Sequence, residues 1–297
     1  MKNVKTRTTI GIAVAVAVLS ASVTAGIFIQ AYEDKRPEVR VFIASSLAAV
    51  VEHYKSIFEK EYNCKLVINS GGSDTLYAQI VAGSPCDVFM AAANSWTDKL
   101  NGTGTTYDLL YNYTYACRNN FTTNKLVVIL PNSNPTGKNI TSLLNLTDSS
   151  VRMLLGQLSV PVGNYTERMV KTINNTWGNP SKPAVYKGPE WVNYYARFYD
   201  TTTPNHIETT TSVQDVVSRV RADMGLFDAG IAYISDMTVQ KTNLLYLTVP
   251  NDVNPKATYG ISVIKASSHL DLAQAFVNFW LSLAGQDLLT LYGFGAS

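Results

Sequence analysis

Two small polar residues in this chain have the type and the spacing that an anion-binding site needs. Ser46 follows a short apolar run at residues 39–44, and Ser73 ends a Ser-Gly-Gly-Ser turn that follows a second run at 66–68. A helical pattern of apolar residues continues from each turn. The first turn of a helix has unpaired N–H groups and a partial positive charge, so each turn can bind an anion without a cationic side chain.

The elements that position these serines read as strand, helix, strand, helix and strand over residues 39–93. Two βα units in succession predict a parallel sheet with helices packed on it, and such sheets bind ligands at the carboxyl ends of their strands. Serine is also a favoured N-cap, which is the simpler interpretation of either residue alone. Two serines beside one crevice therefore indicate a ligand site without establishing one.

The amino-terminal residues predict export. Residues 1–9 carry three basic residues and no acid, and residues 10–29 are apolar or small and uncharged. Such a segment is long enough to span a bilayer, and it also fits a secretory signal with a small-residue cleavage site at 23–25. The apolar run continues to Ile29, which favours an uncleaved anchor. Residues 1–37 are thus a signal peptide or membrane anchor with a linker.

Composition narrows the function classes for the rest of the chain. The formal net charge is +2 and charged residues make up 15% of the chain, so the sequence does not predict nucleic-acid binding. The surface must be rich in Asn, Ser, Thr and Tyr. Seven Asn-x-Ser/Thr sequences fit an exported and glycosylated surface; they begin at Asn101, Asn112, Asn120, Asn139, Asn145, Asn164 and Asn174.

The three cysteines allow one disulfide and leave one thiol over. Cys64 and Cys86 each precede a predicted strand, and the first strand is expected to separate those two strands. We therefore do not predict that Cys64 and Cys86 pair. The spacing of Cys64, Cys86 and Cys117 matches no metal site.

The stretch at 39–96 resembles the first lobe of the molybdate- and tungstate-binding proteins that serve ABC importers. That family has an apolar strand ending in Ala-Ser-Leu, a Ser-rich turn before Leu-x-x-Gln-Ile, and then Gly-x-x-x-Asp-Val-Phe. The matching residues here are Ser46-Leu47, Ser73 with Leu76-Gln79-Ile80, and Gly83 with Asp87-Val88-Phe89. The resemblance covers most of the chain after residue 38.

The resemblance also implies which residues bind the ligand. Val162, before a helical segment, and Val213, after Thr-Thr-Thr-Ser, match positions that offer a backbone N–H in the family. Tyr233, in Gly-Ile-Ala-Tyr-Ile-Ser-Asp, matches the tyrosine whose hydroxyl reaches the anion. Together with Ser46 and Ser73 these residues form the expected site.

The implied fold is α/β, the type II two-lobe fold of periplasmic binding proteins. Each lobe has a mostly parallel sheet flanked by helices, and the chain crosses between the lobes twice. Residues 38–128 and 245–297 are expected in lobe 1, and residues 129–244 in lobe 2. The strands at 244–249 and 259–264 are both expected to return to lobe 1.

The implied ligand is molybdate or tungstate, and no cofactor is expected. An archaeal branch of the family adds two carboxylates that coordinate the metal, but the turns at 159–161 and 211–213 carry no acid here. Asp215 is expected to lie a turn into the following helix. We therefore expect a four-coordinate oxyanion that has no bond from the protein to the metal.

Other functions fit parts of the sequence. A sulfate or phosphate receptor of the same architecture is one alternative, and an anchored surface glycoprotein is another. The segment from Ser262 to Lys265 matches Ser-x-x-Lys, but this short pattern lies in a β-rich run, and we do not predict an enzyme. The resemblance implies an ABC permease as partner, a monomer, and a position outside the cytoplasm, secreted or anchored to the outer face of the membrane.

Overall fold

A computed structural model describes residues 36–101, 109–110, 119–177, 194–199, 206–222, 224–239 and 244–296. The predictions for the leader at 1–35, for Asn112 and for Cys117 lie outside these residues. Within the described ranges, no helix is both long enough and apolar enough to cross a membrane.

The first half of the chain alternates strands with helices, as the apolar pattern predicts. The elements are β1 (Glu38–Ala44), a 3₁₀ turn (Ser45–Leu47), α1 (Ala48–Tyr62), β2 (Lys65–Gly71), α2 (Ser73–Val81), β3 (Val88–Ala91), α3 (Asn94–Asp98) and β4 (Asn119–Asn124). Helix α1 buries Val50, Val51, Tyr54 and Phe58 on one face. It ends at Asn63, whose φ of 47° is the left-handed conformation that stops a helix.

The second half repeats this alternation. Its elements are β5 (Leu126–Pro131), a 3₁₀ turn (Leu143–Thr147), β6 (Met153–Gly156), α4 (Pro161–Thr176), α5 (Tyr194–Tyr199), β7 (Ile207–Thr210), α6 (Val213–Arg221), β8 (Ala229–Tyr233), α7 (Ile234–Val239) and β9 (Leu244–Thr248). The chain then forms β10 (Ala257–Val263), α8 (Leu270–Leu281) and α9 (Leu283–Leu291).

The strands form two five-stranded sheets, in the orders β2-β1-β3-β10-β4 and β7-β6-β8-β5-β9. In the first sheet β10 is antiparallel to both of its neighbours, and in the second sheet β5 is. The other strands of each sheet run in one direction. This confirms the expected α/β fold with two mostly parallel sheets.

Strand β9 lies in lobe 2, although the sequence predicts it in lobe 1. The strand predicted at 244–249 is expected in lobe 1, but β9 pairs with β5 at the edge of the second sheet. The chain therefore returns to lobe 1 only through residues 249–256. A short apolar run predicts a strand but does not specify its partner, because pairing depends on contacts distant in sequence. The first crossing lies at Lys125, between β4 and β5. Residues 126–128, predicted in lobe 1, therefore belong to lobe 2, where they pair with β8 and β9.

The described cysteines agree with the expectation for this sheet. Cys64 and Cys86 are both buried and unpaired. They precede β2 and β3, and β1 lies between those two strands.

Candidate functional site

A small cavity lies between the two lobes, at the carboxyl ends of the parallel strands. Its volume is about 20 Å³, and all five residues of the expected site line it: Ser46, Ser73, Val162, Val213 and Tyr233. The two serines belong to the first lobe and the other three residues to the second. The structure thus brings the five together, and their role in binding a ligand remains a prediction.

Helix beginnings position the donors of the first lobe. Ser46 lies in the 3₁₀ turn that leads from β1 into α1, and Ser73 is the first residue of α2. Neither the 3₁₀ turn nor α2 has a side-chain hydrogen bond from its N-cap residue. The N–H groups of these first turns therefore stay available to a ligand.

The second lobe uses the same arrangement. Helix α4 begins with Pro161 at its first position, which has no N–H to leave unpaired, and Val160 makes no side-chain cap. Val162 follows in the first turn. Val213 begins α6, and the N–H groups of a first helical turn have no partner within the helix. Both valines line the cavity from the first turn of a helix, so their backbone N–H groups are the donors expected there.

The side-chain hydroxyls are also arranged as donors. Ser73 Oγ accepts a hydrogen bond from the Ala92 N–H at 3.1 Å, so its own proton is left for the cavity. Ser46 Oγ lies 2.9 Å from Tyr259 Oη. Tyr233 is 1% exposed, and its Oη has no hydrogen-bond partner among the described residues. A buried hydroxyl without a partner is costly, which is explained if a ligand accepts its proton.

Among the described residues no charged side chain lines the cavity, and four helix beginnings contribute partial positive charge there. Burial raises the pKa of Tyr233 well above its ordinary value, so the phenol keeps its proton. Asp236 is a buried neighbour whose Oδ2 accepts a hydrogen bond from the Tyr233 N–H at 3.0 Å. Burial raises the pKa of Asp236 to about 7. The cavity thus offers neutral donors and helix dipoles to an anion.

Two further serines line the same cavity and are absent from the expected site: Ser45 and Ser212. Ser212 is the N-cap of α6, and its Oγ accepts a hydrogen bond from the Asp215 N–H at 3.1 Å. Its hydroxyl proton is therefore free to point into the cavity. In the structure Ser46 and Ser73 are not N-caps, since Ala44 and Gly72 hold those positions. A serine just before an apolar helical pattern, the feature that singles out Ser46 and Ser73, would also have found Ser212.

No carboxylate of the described residues lines the cavity. Asp215 hydrogen-bonds Thr210 and lies 3.7 Å from Arg219 Nη1, and it is not among the lining residues. No group of three or more metal-binding side chains occurs in the described parts of the chain. The donors present suit an oxyanion and not a bare cation.

The Ser-x-x-Lys segment lies apart from this site. Ser262 is fully buried, Lys265 is exposed, and neither residue lines the cavity. A nucleophile without access to substrate and a base on the surface cannot act as a pair.

Known proteins match most of this chain. Residues 39–295 match the family described as bacterial extracellular solute-binding protein. A relative is the molybdate-binding protein ModA of Mycobacterium tuberculosis, 28% identical over 256 residues that cover 86% of this chain and 83% of the relative.

Solved structures show the same fold. The periplasmic molybdate-binding protein of Azotobacter vinelandii has a TM-score of 0.68 at 17% identity, over 87% of this chain and 99% of that one. The sulfate-binding protein SubI of Mycobacterium tuberculosis has a TM-score of 0.67 at 15% identity, over 87% and 86%. The likeness in fold therefore does not separate molybdate from sulfate binding.

Proposed function

This chain belongs to the bacterial extracellular solute-binding proteins, and from that premise we propose that it binds molybdate or tungstate between its lobes and delivers the oxyanion to an ABC importer. Proteins of this family act outside the cytoplasm and present solutes to transporters. The proposal specifies the ligand that this chain presents. It also includes an ABC permease as the partner.

The observation that carries the proposal is the set of donors in the cavity. Ser46 and Ser73 from one lobe face Tyr233 and two helix beginnings from the other, and no charged side chain lies among them. A hydrogen bond to a charged group stabilises by about 1.5–3 kcal/mol. Five such bonds from both lobes would together favour a bound dianion over one in water.

The second candidate is a sulfate receptor. Sulfate carries the same charge and shape, and a sulfate-binding protein shares this fold with a TM-score of 0.67. Sequence favours molybdate, since the relatives with 24–28% identity over most of the chain are molybdate-binding proteins.

Titration calorimetry with molybdate, tungstate, sulfate and phosphate tests the proposal. We expect submicromolar dissociation constants for molybdate and tungstate and little heat from the other two. A sulfate affinity comparable to that for molybdate would overturn the assignment.

A variant within the cavity links this binding to the predicted site. Tyr233→Phe keeps the ring and removes the unpaired hydroxyl. It should weaken molybdate binding about tenfold, which corresponds to one lost charge-assisted hydrogen bond. An unchanged affinity would exclude Tyr233 from the site.

A further inference from the structure

The phenol of Tyr259 lies directly behind the Ser46 hydroxyl. Tyr259 is fully buried in β10 and does not itself line the cavity. Its ring packs against the rings of Phe121, Tyr233 and Phe294, with centroid distances of 6.4, 6.0 and 5.6 Å. Its Oη is 2.9 Å from Ser46 Oγ, and either oxygen can be the donor in an isolated pair.

Asn124 determines which of the two donates. The Asn124 Oδ1 accepts a hydrogen bond from the Lys125 N–H at 3.0 Å, and this contact fixes the orientation of the side-chain amide. The Nδ2 group then donates to Ser235 Oγ at 2.8 Å and to Tyr259 Oη at 3.3 Å. Tyr259 Oη accepts from Asn124, which leaves its single proton to donate, and Ser46 Oγ at 2.9 Å is an acceptor in hydrogen-bond reach. This arrangement favours Tyr259 as the donor to Ser46.

The consequence appears at the cavity. Ser46 Oγ accepts from Tyr259, and its own proton is left for a ligand. Ser73 is turned the same way by the backbone N–H of Ala92, a donor that no side-chain substitution removes. The orientation of the Ser46 hydroxyl, in contrast, depends on side chains, so a substitution can change it.

We propose that Tyr259, oriented by Asn124, is a positioning residue that makes Ser46 a hydrogen-bond donor and thereby selects oxyanions that carry no proton. This inference rests on the proposed oxyanion function. Hydrogen phosphate brings an O–H group that needs an acceptor, and the cavity hydroxyls are turned as donors. Molybdate and sulfate bring acceptor oxygens only. The buried, unmatched O–H group is what weakens hydrogen phosphate.

The test compares two dianions in one protein. Tyr259→Phe retains the ring contacts and removes the proton given to Ser46, whose oxygen can then accept from the O–H group of hydrogen phosphate. We expect the dissociation constant of molybdate to rise about tenfold and that of phosphate, measured at mildly alkaline pH, to change little. The phosphate-to-molybdate ratio of dissociation constants should thus fall about tenfold. Both ligands carry two negative charges, so general electrostatic effects cancel in this ratio.

A matched control separates orientation from simple packing between the lobes. Tyr165 is a buried phenol of α4 whose Oη accepts from the Thr258 N–H at 3.2 Å, next to Tyr259 but not bonded to Ser46. Tyr165→Phe should leave the phosphate-to-molybdate ratio unchanged. A second variant, Asn124→Asp, replaces the donor to Tyr259 with an acceptor and should lower the ratio as Tyr259→Phe does.

An unchanged ratio in both Tyr259→Phe and Asn124→Asp, or an equal change in Tyr165→Phe, would overturn the inference. If the unmodified protein prefers sulfate, the molybdate assignment fails, while the phosphate-to-sulfate ratio still decides the role of Tyr259. Binding of no fully ionised oxyanion would overturn both.

Discussion

Asp236 is the buried carboxyl closest in the chain to the cavity, three residues after Tyr233. It is 7% exposed, and the Tyr233 N–H is its hydrogen-bond donor. In the described part of the chain no basic side chain forms a salt bridge with it. The raised pKa, about 7, follows from burial that disfavours the ionised form.

The raised pKa of Asp236 makes the folded state less stable as the pH rises. Below pH 4 the carboxyl is protonated whether the chain is folded or not, and it adds no cost. As the pH rises from 4 to 7 the unfolded chain ionises first, so the free energy of unfolding falls across this window. Asp236→Asn keeps an oxygen acceptor for Tyr233 and removes the titration. It should be more stable than the unmodified protein by roughly 2–4 kcal/mol at pH 8.

Urea unfolding at pH 4 and pH 8 measures this difference. At pH 4 the two proteins should have nearly equal free energies of unfolding. Asp287→Asn, which neutralises an exposed carboxylate of α9, controls for net charge and should show no such gain. Parallel pH profiles for Asp236→Asn and the unmodified protein would contradict the assignment.

At the scale of single residues, the sequence predicts part of the site. Ser46 and Ser73 stand out because small polar residues precede apolar helical patterns. Val162, Val213 and Tyr233 are identified by family resemblance, since a valine N–H or one of many tyrosines has no distinctive pattern. Tyr259 is 213 positions from Ser46 in the chain. Its role depends on a tertiary contact, which no local pattern reveals.

At the scale of elements, the close approach of the two lobes depends on a residue without a side chain. Gly72 precedes α2 and has φ −64° and ψ 138°, a conformation open to any residue. A Cβ there would lie 2.7 Å from Asp74 Oδ1 in its own lobe, 2.7 Å from the Thr211 carbonyl oxygen and 3.2 Å from Val160 Cγ1, the last two in the second lobe. The Asp74 carboxylate can rotate away, whereas the Thr211 oxygen belongs to the backbone. The lasting restriction is therefore contact across the cleft and not backbone strain.

Gly72→Ala should consequently impair closure without unfolding either lobe. The methyl group meets backbone in the facing lobe, which can yield only if the lobes move apart. We expect molybdate affinity to fall about tenfold to a hundredfold, with a melting temperature of the free protein close to the original. Calorimetry and thermal unfolding measure both quantities.

Gly71→Ala is the matched control. A Cβ at Gly71 would lie 3.6 Å from Leu76 Cδ2, an ordinary contact. It should bind molybdate nearly as tightly as the unmodified protein. Equal losses in both variants would show that chain stiffness, and not contact between the lobes, matters at this turn.

Apolar runs and turn residues were enough to predict the strands and helices that carry the expected site. They were insufficient for β9, which joins the second sheet. Its buried Leu244 and exposed Leu245 and Tyr246 fit an edge strand of either sheet. Hydrophobic pattern specifies that a strand has a buried side, while the choice of sheet is made by pairing with β5 along the whole register.

At the scale of the molecule, the two lobes are built alike, and the second lobe is one continuous segment placed between the two segments of the first. Each sheet contains one reversed strand, β10 in the first lobe and β5 in the second, and each follows a crossing between lobes. Asn124 lies at the first crossing and hydrogen-bonds Ser235 of the second lobe as well as Tyr259 of the first. The polar network behind the cavity therefore joins both lobes beside a hinge, so ligand contacts and closure are expected to act together.

The most direct test is the position of the metal in a crystal structure of the protein grown with molybdate, located by anomalous scattering at the molybdenum edge. We predict one strong peak in the cavity, with the oxygens around it within hydrogen-bonding reach of Ser46 Oγ, Ser73 Oγ and Tyr233 Oη. A peak at another place, such as the surface groove beside Lys138, or an empty cavity in a molybdate-saturated crystal, would contradict the account.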